Sequence, residues 1–282
     1  MPRSDCWPGL RGQWAQLVAT DHLEEQRELE QTWRARLLSE PSERAFREAY
    51  DEVHAAMRRR PGRETIYAAS LSQVDRSFLR ALKSACRILD IGAGNGRFAL
   101  AASTDRSVVA LDISTEAFTA MRDLATGHDS PTFCQASALH LPFGSCTFDA
   151  VVSLDLVEHL HPDHLDPHMA EVYRILMPGG RYLLHTPSSL HGSTSLGLHL
   201  HEYRLRELGR AAIRAGFRPR WLCLSLARFG WVKTLPGWLW PVVAAWEAVW
   251  NVAGSAGLRK VGGRWYAIAI PDVDVDLVKP GL

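Results

Sequence analysis

Ile88-Leu89-Asp90-Ile91-Gly92-Ala93-Gly94-Asn95-Gly96-Arg97-Phe98 is the stretch that decides the fold. An apolar run ends in a carboxylate, glycines follow at alternate positions, and an amphipathic segment begins at once, which reads as strand, tight turn and helix. Glycine has no Cβ, so the backbone there can bend into conformations closed to other residues and can touch a ligand directly. The helix beginning near Asn95 aims free N–H groups at the turn, a place for a polar or anionic cofactor group. Val108-Val109-Ala110-Leu111-Asp112 repeats the apolar run and the terminal acid one βαβ unit later. A carboxylate at that strand tip can accept hydrogen bonds from ribose hydroxyls.

Two cofactor classes use such a unit. A dinucleotide loop of the form Gly-x-Gly-x-x-Gly needs its third glycine at position 97, where this chain has Arg97. The spacing instead resembles the Asp-x-Gly-x-Gly-x-Gly loop of class I S-adenosylmethionine-dependent methyltransferases. The resemblance covers about residues 85–215, with a weaker continuation to Pro271. It implies a doubly wound, Rossmann-like α/β fold with a seven-stranded, mostly parallel sheet whose last strand is antiparallel. It also implies S-adenosyl-L-methionine as cofactor. Asp90, Gly92, Gly94 and Gly96 would hold the methionine part, Asp112 the ribose, and Ile113, Ser137, Ala138, Leu154 and Asp155 would complete the cofactor-binding set. Ser137 stands where many relatives carry an acid that reads adenine, in Ala136-Ser137-Ala138-Leu139-His140-Leu141-Pro142-Phe143. The turn Arg174-Ile175-Leu176-Met177-Pro178-Gly179-Gly180 and the segment Asp155-Leu156-Val157-Glu158-His159-Leu160 also resemble the family. The latter recurs in small-molecule methyltransferases, including those of quinone and lipid precursors. A non-catalytic scaffold that keeps the fold, and an NAD(P)-binding enzyme, are the alternatives.

The length of 282 residues suits one large α/β domain with additions. A formal charge of +1, with no basic run beyond Arg58-Arg59-Arg60, gives no electrostatic footprint for nucleic acid. Five scattered cysteines without a Cys-x-x-Cys pair suggest neither a disulfide framework nor a zinc knuckle, and they suit a reducing cytoplasm. The first residues lead into no signal-like apolar core.

Residues 1–83 read as a helical extension or lid, with helices over Leu23–Leu38, Ser42–Arg60 and Ile66–Leu82, and residues 84–282 as the cofactor-binding domain. Tyr50, His54 and Tyr67 are the lid residues to watch. Ser114 is expected to cap a helix running to Ala125. Strands are expected at Thr132–Gln135, Phe148–Leu154, Arg181–Thr186, Phe217–Leu226 and Trp265–Ile270. Methyl transfer is an in-line displacement at a sulfonium carbon, so the protein must hold nucleophile and methyl group close, aligned and dry. For a hydroxyl acceptor, a histidine base fits. His159 is the first candidate, with His191, His199 and His201 behind it, and Asp155 to position acceptor or cofactor. His159, His161, His164 and His168 are crowded, but their Pro-rich spacing does not put two ligands on one helix face. No metal is expected from them, and His159 alone is expected to point inward.

The acceptor is expected to be a small, partly apolar molecule. Five of the ten tryptophans lie in Phe229–Val252, inside an insertion over 229–262. That segment reads as a buried or dimer-forming surface, with peripheral membrane contact as the alternative. Pro236 and Pro241 argue against a spanning helix.

Overall fold

The computed structural model describes residues 20–58, 71, 73–124, 130–187, 198–225 and 272–281. Tyr67, His191, the tryptophan-rich segment 229–252 and the expected strand Trp265–Ile270 lie outside them.

Two helices come first, α1 (Thr20–Ser39) and α2 (Glu43–Arg58), followed by α3 (Gln73–Ala81). Then come β1 (Arg87–Ile91), α4 (Arg97–Ala102), β2 (Ser107–Asp112), α5 (Thr115–Leu124), β3 (Thr132–Gln135) and β4 (Phe148–Leu154). After two 3-10 turns follow α6 (Leu165–Ile175), β5 (Leu176–Pro187), α7 (Leu205–Arg214), β6 (Arg218–Ser225) and β7 (Asp272–Val278). The strands form a seven-stranded sheet in the order β3-β2-β1-β4-β5-β7-β6. β1 to β5 are parallel, and β7 pairs antiparallel with both β5 and β6.

The central strands are apolar on both sides because both faces of the sheet are covered. Leu89, Ile91 and Val151 belong to one core with Met169, Val172 and Leu208, while Ile88, Ala110 and Val152 belong to the other with Phe78, Phe98 and Met121. The alternation follows from the two-residue side-chain period of a strand.

Among the described residues the last strand is Asp272–Val278, directly after Pro271. Its sequence alternates acid and apolar residues: Val273, Val275 and Leu277 are buried. Asp276, also buried, receives a two-pronged contact from Arg181 of β5, with Nη2 to Oδ2 at 2.7 Å and Nε to Oδ1 at 3.1 Å. A buried carboxylate is tolerated when it is paired in this way. The Pro178-Gly179-Gly180 turn also differs from expectation. It lies inside the start of β5, where the pairing with β4 shifts register between Phe148–Leu176 and Ala150–Arg181.

α6 starts at Leu165, so His168 falls on its buried face. The expectation that it is solvated is thereby corrected. His168 Nδ1 donates to the Ala138 carbonyl at 3.0 Å, Tyr182 donates its hydroxyl to Nε2 at 2.8 Å, and Ser153 Oγ completes the chain at 2.8 Å from the Tyr182 oxygen. Every member of this buried network is satisfied, and it fixes the backbone at Ala138.

Candidate active site

The carboxyl ends of β1, β2 and β4 meet where the strand order reverses, at a cleft of about 450 Å³. Open parallel sheets bind ligands at such a switch point. Gly92, Gly94 and Asn95 line it after β1, Asp112 and Ile113 after β2, Ser137 and Ala138 after β3, and Leu154, Asp155 and His159 after β4.

The glycine loop is organised by Asp112. Gly94 donates its N–H to Asp112 Oδ2 at 2.9 Å, and Ser114 N–H donates to Oδ1 at 2.9 Å. Each carboxylate oxygen has two lone pairs, so each keeps an acceptor site for a ligand hydroxyl. Gly94 has φ +53°, and a Cβ built there meets only His54 Cε1 at 3.9 Å. A side chain at this point would project into the cleft. Gly96 plays a different part. It does not line the cleft. Its φ is +75°, and a Cβ would stand 2.2 Å from Met121 Cγ, so a glycine is needed there to seat the loop against α5. The helix after the loop starts at Arg97, not at Asn95, and is six residues long. Asp90 is buried beneath the loop. Burial raises its carboxyl to about 7, with further upward pushes from the Asp75 and Asp112 carboxylates.

One wall of the cleft comes from the N-terminal helices. Glu43, Phe46, Tyr50, Val53 and His54 repeat at helical spacing and present one face of α2 to it. Asp51 fastens this helix to the sheet domain. Its Oδ1 accepts from Ser114 Oγ at 2.7 Å, from the N–H groups of Thr115 at 2.8 Å and Glu116 at 3.3 Å, and from Thr115 Oγ1 at 3.1 Å. A carboxylate at the first turn of α5 satisfies donors that the helix cannot. Ser114 caps the same helix, accepting from Ala117 N–H at 3.3 Å. At the far end, Glu43 Oε1 lies 2.6 Å from His140 Nδ1, and hydrogen bonds from His140 and Ser137 hold its carboxyl below the usual range. A carboxylate from α2 thus stands beside Ser137, which lacks one.

The third wall is a histidine pair. His159 ends a 3-10 turn after β4, and its ring meets that of His199 at 4.9 Å and that of Tyr50 at 5.8 Å, both edge to face. The segment carrying His199 is strapped to this turn: Leu200 and His201 N–H groups both donate to the Glu158 carbonyl, at 2.8 and 3.1 Å. His159 Nδ1 donates to the Leu198 carbonyl at 3.1 Å. Burial lowers His159 to about 4, with His199 pushing the same way, so the ring is neutral near pH 7 with Nε2 free of its proton. Glu158 is fully buried; Thr186 Oγ1 donates to its Oε2 at 2.8 Å, and Oε1 has no partner. Burial and the neighbouring Asp155 carboxylate push Glu158 upward. Asp155 itself sits at φ +53°, a conformation few non-glycine residues adopt, at the tip of β4.

The structure therefore brings together Asp90, Gly92, Gly94, Asp112, Ile113, Ser137, Ala138, Leu154, Asp155 and His159. His201, expected as a catalytic candidate, is turned off the cleft: its ring packs on Tyr203 at 4.5 Å and its Nε2 is 3.9 Å from Glu207. His199, two residues earlier, lines it instead.

Residues 88–180 match the methyltransferase domain family. Among curated proteins, 27-O-demethylrifamycin SV methyltransferase of Amycolatopsis mediterranei is 32% identical over 137 residues, 47% of this chain and 49% of that protein. Cyclopropane-fatty-acyl-phospholipid synthase of Escherichia coli is 28% identical over 180 residues, 60% of this chain and 45% of that one. Over residues 88–180 this sequence is similar to a methyltransferase domain. The chain spans about half the length of these curated relatives. Haemonchus contortus phosphoethanolamine N-methyltransferase 2, solved with phosphomonomethylethanolamine and S-adenosylhomocysteine, shares the fold with a TM-score of 0.60 at 18% identity. The likeness covers 85% of this chain and 60% of that one.

The cleft has features that fit S-adenosylmethionine, the cofactor implied by the resemblance. The open space over Gly94, the spare acceptor sites on Asp112 and the buried, unpartnered hydroxyl of Tyr50 are all turned to one cavity. The volume lies within the roughly 300–1,000 Å³ of small-molecule sites. Asp112 would take the ribose, and Asp90 with the glycine loop the methionine end.

Proposed function

We propose that the chain transfers a methyl group from S-adenosylmethionine to an oxygen, nitrogen or carbon of a small, partly apolar acceptor. The observation that carries this reading is the Asp112 carboxylate bonded to Gly94 N–H at the carboxyl edge of the sheet, in the same cleft as His159 and Tyr50. The cofactor supplies an electrophilic methyl when bound. The chain's own residues bind, orient and exclude water. α1 and α2 act as a lid over the cleft, pinned through Asp51. Phe46, Val53 and Leu160 give the acceptor side apolar walls. His159 is the candidate to receive a hydroxyl proton at Nε2, since its Nδ1 is already committed to Leu198. The similarity to a cyclopropane-fatty-acyl-phospholipid synthase and to a 27-O-demethylrifamycin SV methyltransferase supports an acceptor with apolar surface.

The test is calorimetric binding of S-adenosylhomocysteine, followed by incubation with methyl-labelled cofactor and a metabolite extract. Asp112→Ala should weaken binding at least about 100-fold, because hydrogen bonds to a charged group contribute about 1.5–3 kcal/mol each. If wild type binds neither adenosyl compound, the chain is a scaffold with a methyltransferase fold.

A further inference from the structure

We propose that Glu158, His159 and His199 form a site for a divalent first-row transition-metal ion, with an open position that faces the cleft and takes an oxygen donor of the methyl acceptor. One ligand atom from each of the three residues lies within 4.8 Å of the other two. Small side-chain rotations bring such a set to the roughly 2.0–2.2 Å of zinc–nitrogen and zinc–carboxylate bonds.

The surroundings are those of ligands. A metal-binding histidine normally donates its second ring N–H to a carboxylate or carbonyl, which fixes the ring and selects the coordinating nitrogen. Both rings here do so. His159 Nδ1 is held by the Leu198 carbonyl at 3.1 Å and His199 Nδ1 by Glu202 Oε1 at 2.9 Å, which leaves Nε2 of each. Glu202 is itself buried, and Arg34 Nε donates to the His199 carbonyl at 2.8 Å, so the ring is set from both sides. Glu158 is oriented by Thr186 through Oε2, and its Oε1 is buried without a hydrogen-bond partner. A buried carboxylate oxygen without a partner is unfavourable, more so when charged. A cation among these three residues removes that cost. Two imidazole nitrogens and one carboxylate suit zinc, iron, cobalt or manganese rather than calcium or magnesium.

The site has an entry path, because His159 and His199 both line the cofactor cleft, while Glu158 closes it from behind. The metal-binding part stands on this geometry alone, and the role toward an acceptor oxygen rests on the methyltransferase reading; with the ion bound, His159 Nε2 is a ligand, and the ion, in place of that ring, faces the acceptor oxygen. The four crowded histidines at 159–168 do not make the site; only His159 of them contributes, with a partner 40 residues further along the chain.

The experiment titrates chelator-treated protein with Co²⁺ and with Zn²⁺, reading cobalt d–d absorption and calorimetry, with S-adenosylhomocysteine binding measured in parallel. Wild type should bind one ion, and Glu158→Gln and His199→Ala should each weaken that binding at least about tenfold, while the circular dichroism spectrum and melting temperature, the measures of an intact fold, stay close to those of wild type. Asp112→Ala should do the reverse, losing the adenosyl ligand and keeping the metal. Cobalt affinity and spectrum that are the same in wild type and His199→Ala would overturn the site. Loss of adenosyl binding in wild type with metal binding intact would overturn the methyltransferase reading alone.

Discussion

Replacing Asp90 by asparagine should stabilise the protein without cofactor and abolish its cofactor binding. Asp90 is 2% exposed and its carboxyl is raised from an ordinary 3.8 to about 7, by burial first and then by Asp75 and Asp112. The folded state therefore holds a proton that the unfolded chain releases near pH 4. Stability falls as pH rises from about 4 to about 7 and levels off above it, since the native state binds more protons in that window. About three pKa units at about 1.36 kcal/mol each give a cost near 4 kcal/mol at pH 8. Asparagine is close in shape, can still accept a hydrogen bond from the Ala99 backbone, and carries no charge to bury. Urea unfolding of ligand-free protein should show Asp90→Asn more stable by about 4 kcal/mol at pH 8 and by less than about 1 kcal/mol at pH 4. S-adenosylhomocysteine affinity should meanwhile collapse, because the cleft loses the carboxylate proposed to hold the methionine end. A stability difference that does not change with pH, or a variant weaker than wild type at pH 8, would refute the reasoning. The expected pattern is a binding site whose strain is kept for function.

Three further perturbations probe the frame of the site. Asp51→Ala removes the acceptor shared by Ser114, Thr115 and Glu116, so thermal melts should show a loss of about 1–2 kcal/mol, and limited proteolysis should cut the N-terminal helices first. Gly96→Ala combines φ +75° with a Cβ 2.2 Å from Met121; left-handed backbone at about 1–2 kcal/mol and overpacking at about 1–3 kcal/mol should lower stability by at least 2–3 kcal/mol in urea titration, and an unchanged midpoint would show that the loop relaxes. For the tryptophan-rich segment, flotation with anionic liposomes compares wild type with a variant carrying serine for Trp246 and Trp250. Membrane contact predicts that wild type floats and the variant does so less, whereas wild type staying in the soluble fraction removes the idea.

The strand–turn–helix over residues 88–98, the second acid at 112 and the strands at 132–135 and 148–154 were all legible from sequence, because both the two-residue period and the glycine pattern are local signals. The same holds for Ser114 as a cap. Less legible was the strand at 272–278, because its alternating Asp and Val depend on Arg181 for the burial of Asp276. His168 was placed in solvent by its Pro-rich neighbourhood, and only the start of α6 at Leu165 turns it inward.

Among the described residues, no helix is long and apolar enough to cross a membrane.

The glycine-loop end of the cleft was readable from the sequence, because Asp90, the glycines and Asp112 sit at strand tips and turns marked by local signals. The other end depends on contacts between distant segments. Glu43 reaches Ser137 from another helix, Asp51 ties that helix to the start of α5, and the strap from Leu198 to His201 carries His199 rather than His201 to His159. These contacts join residues 40 to 97 positions apart. Spacing along a chain does not encode such distances, so packing alone brought the Glu43 carboxylate and the two histidines to the same cleft.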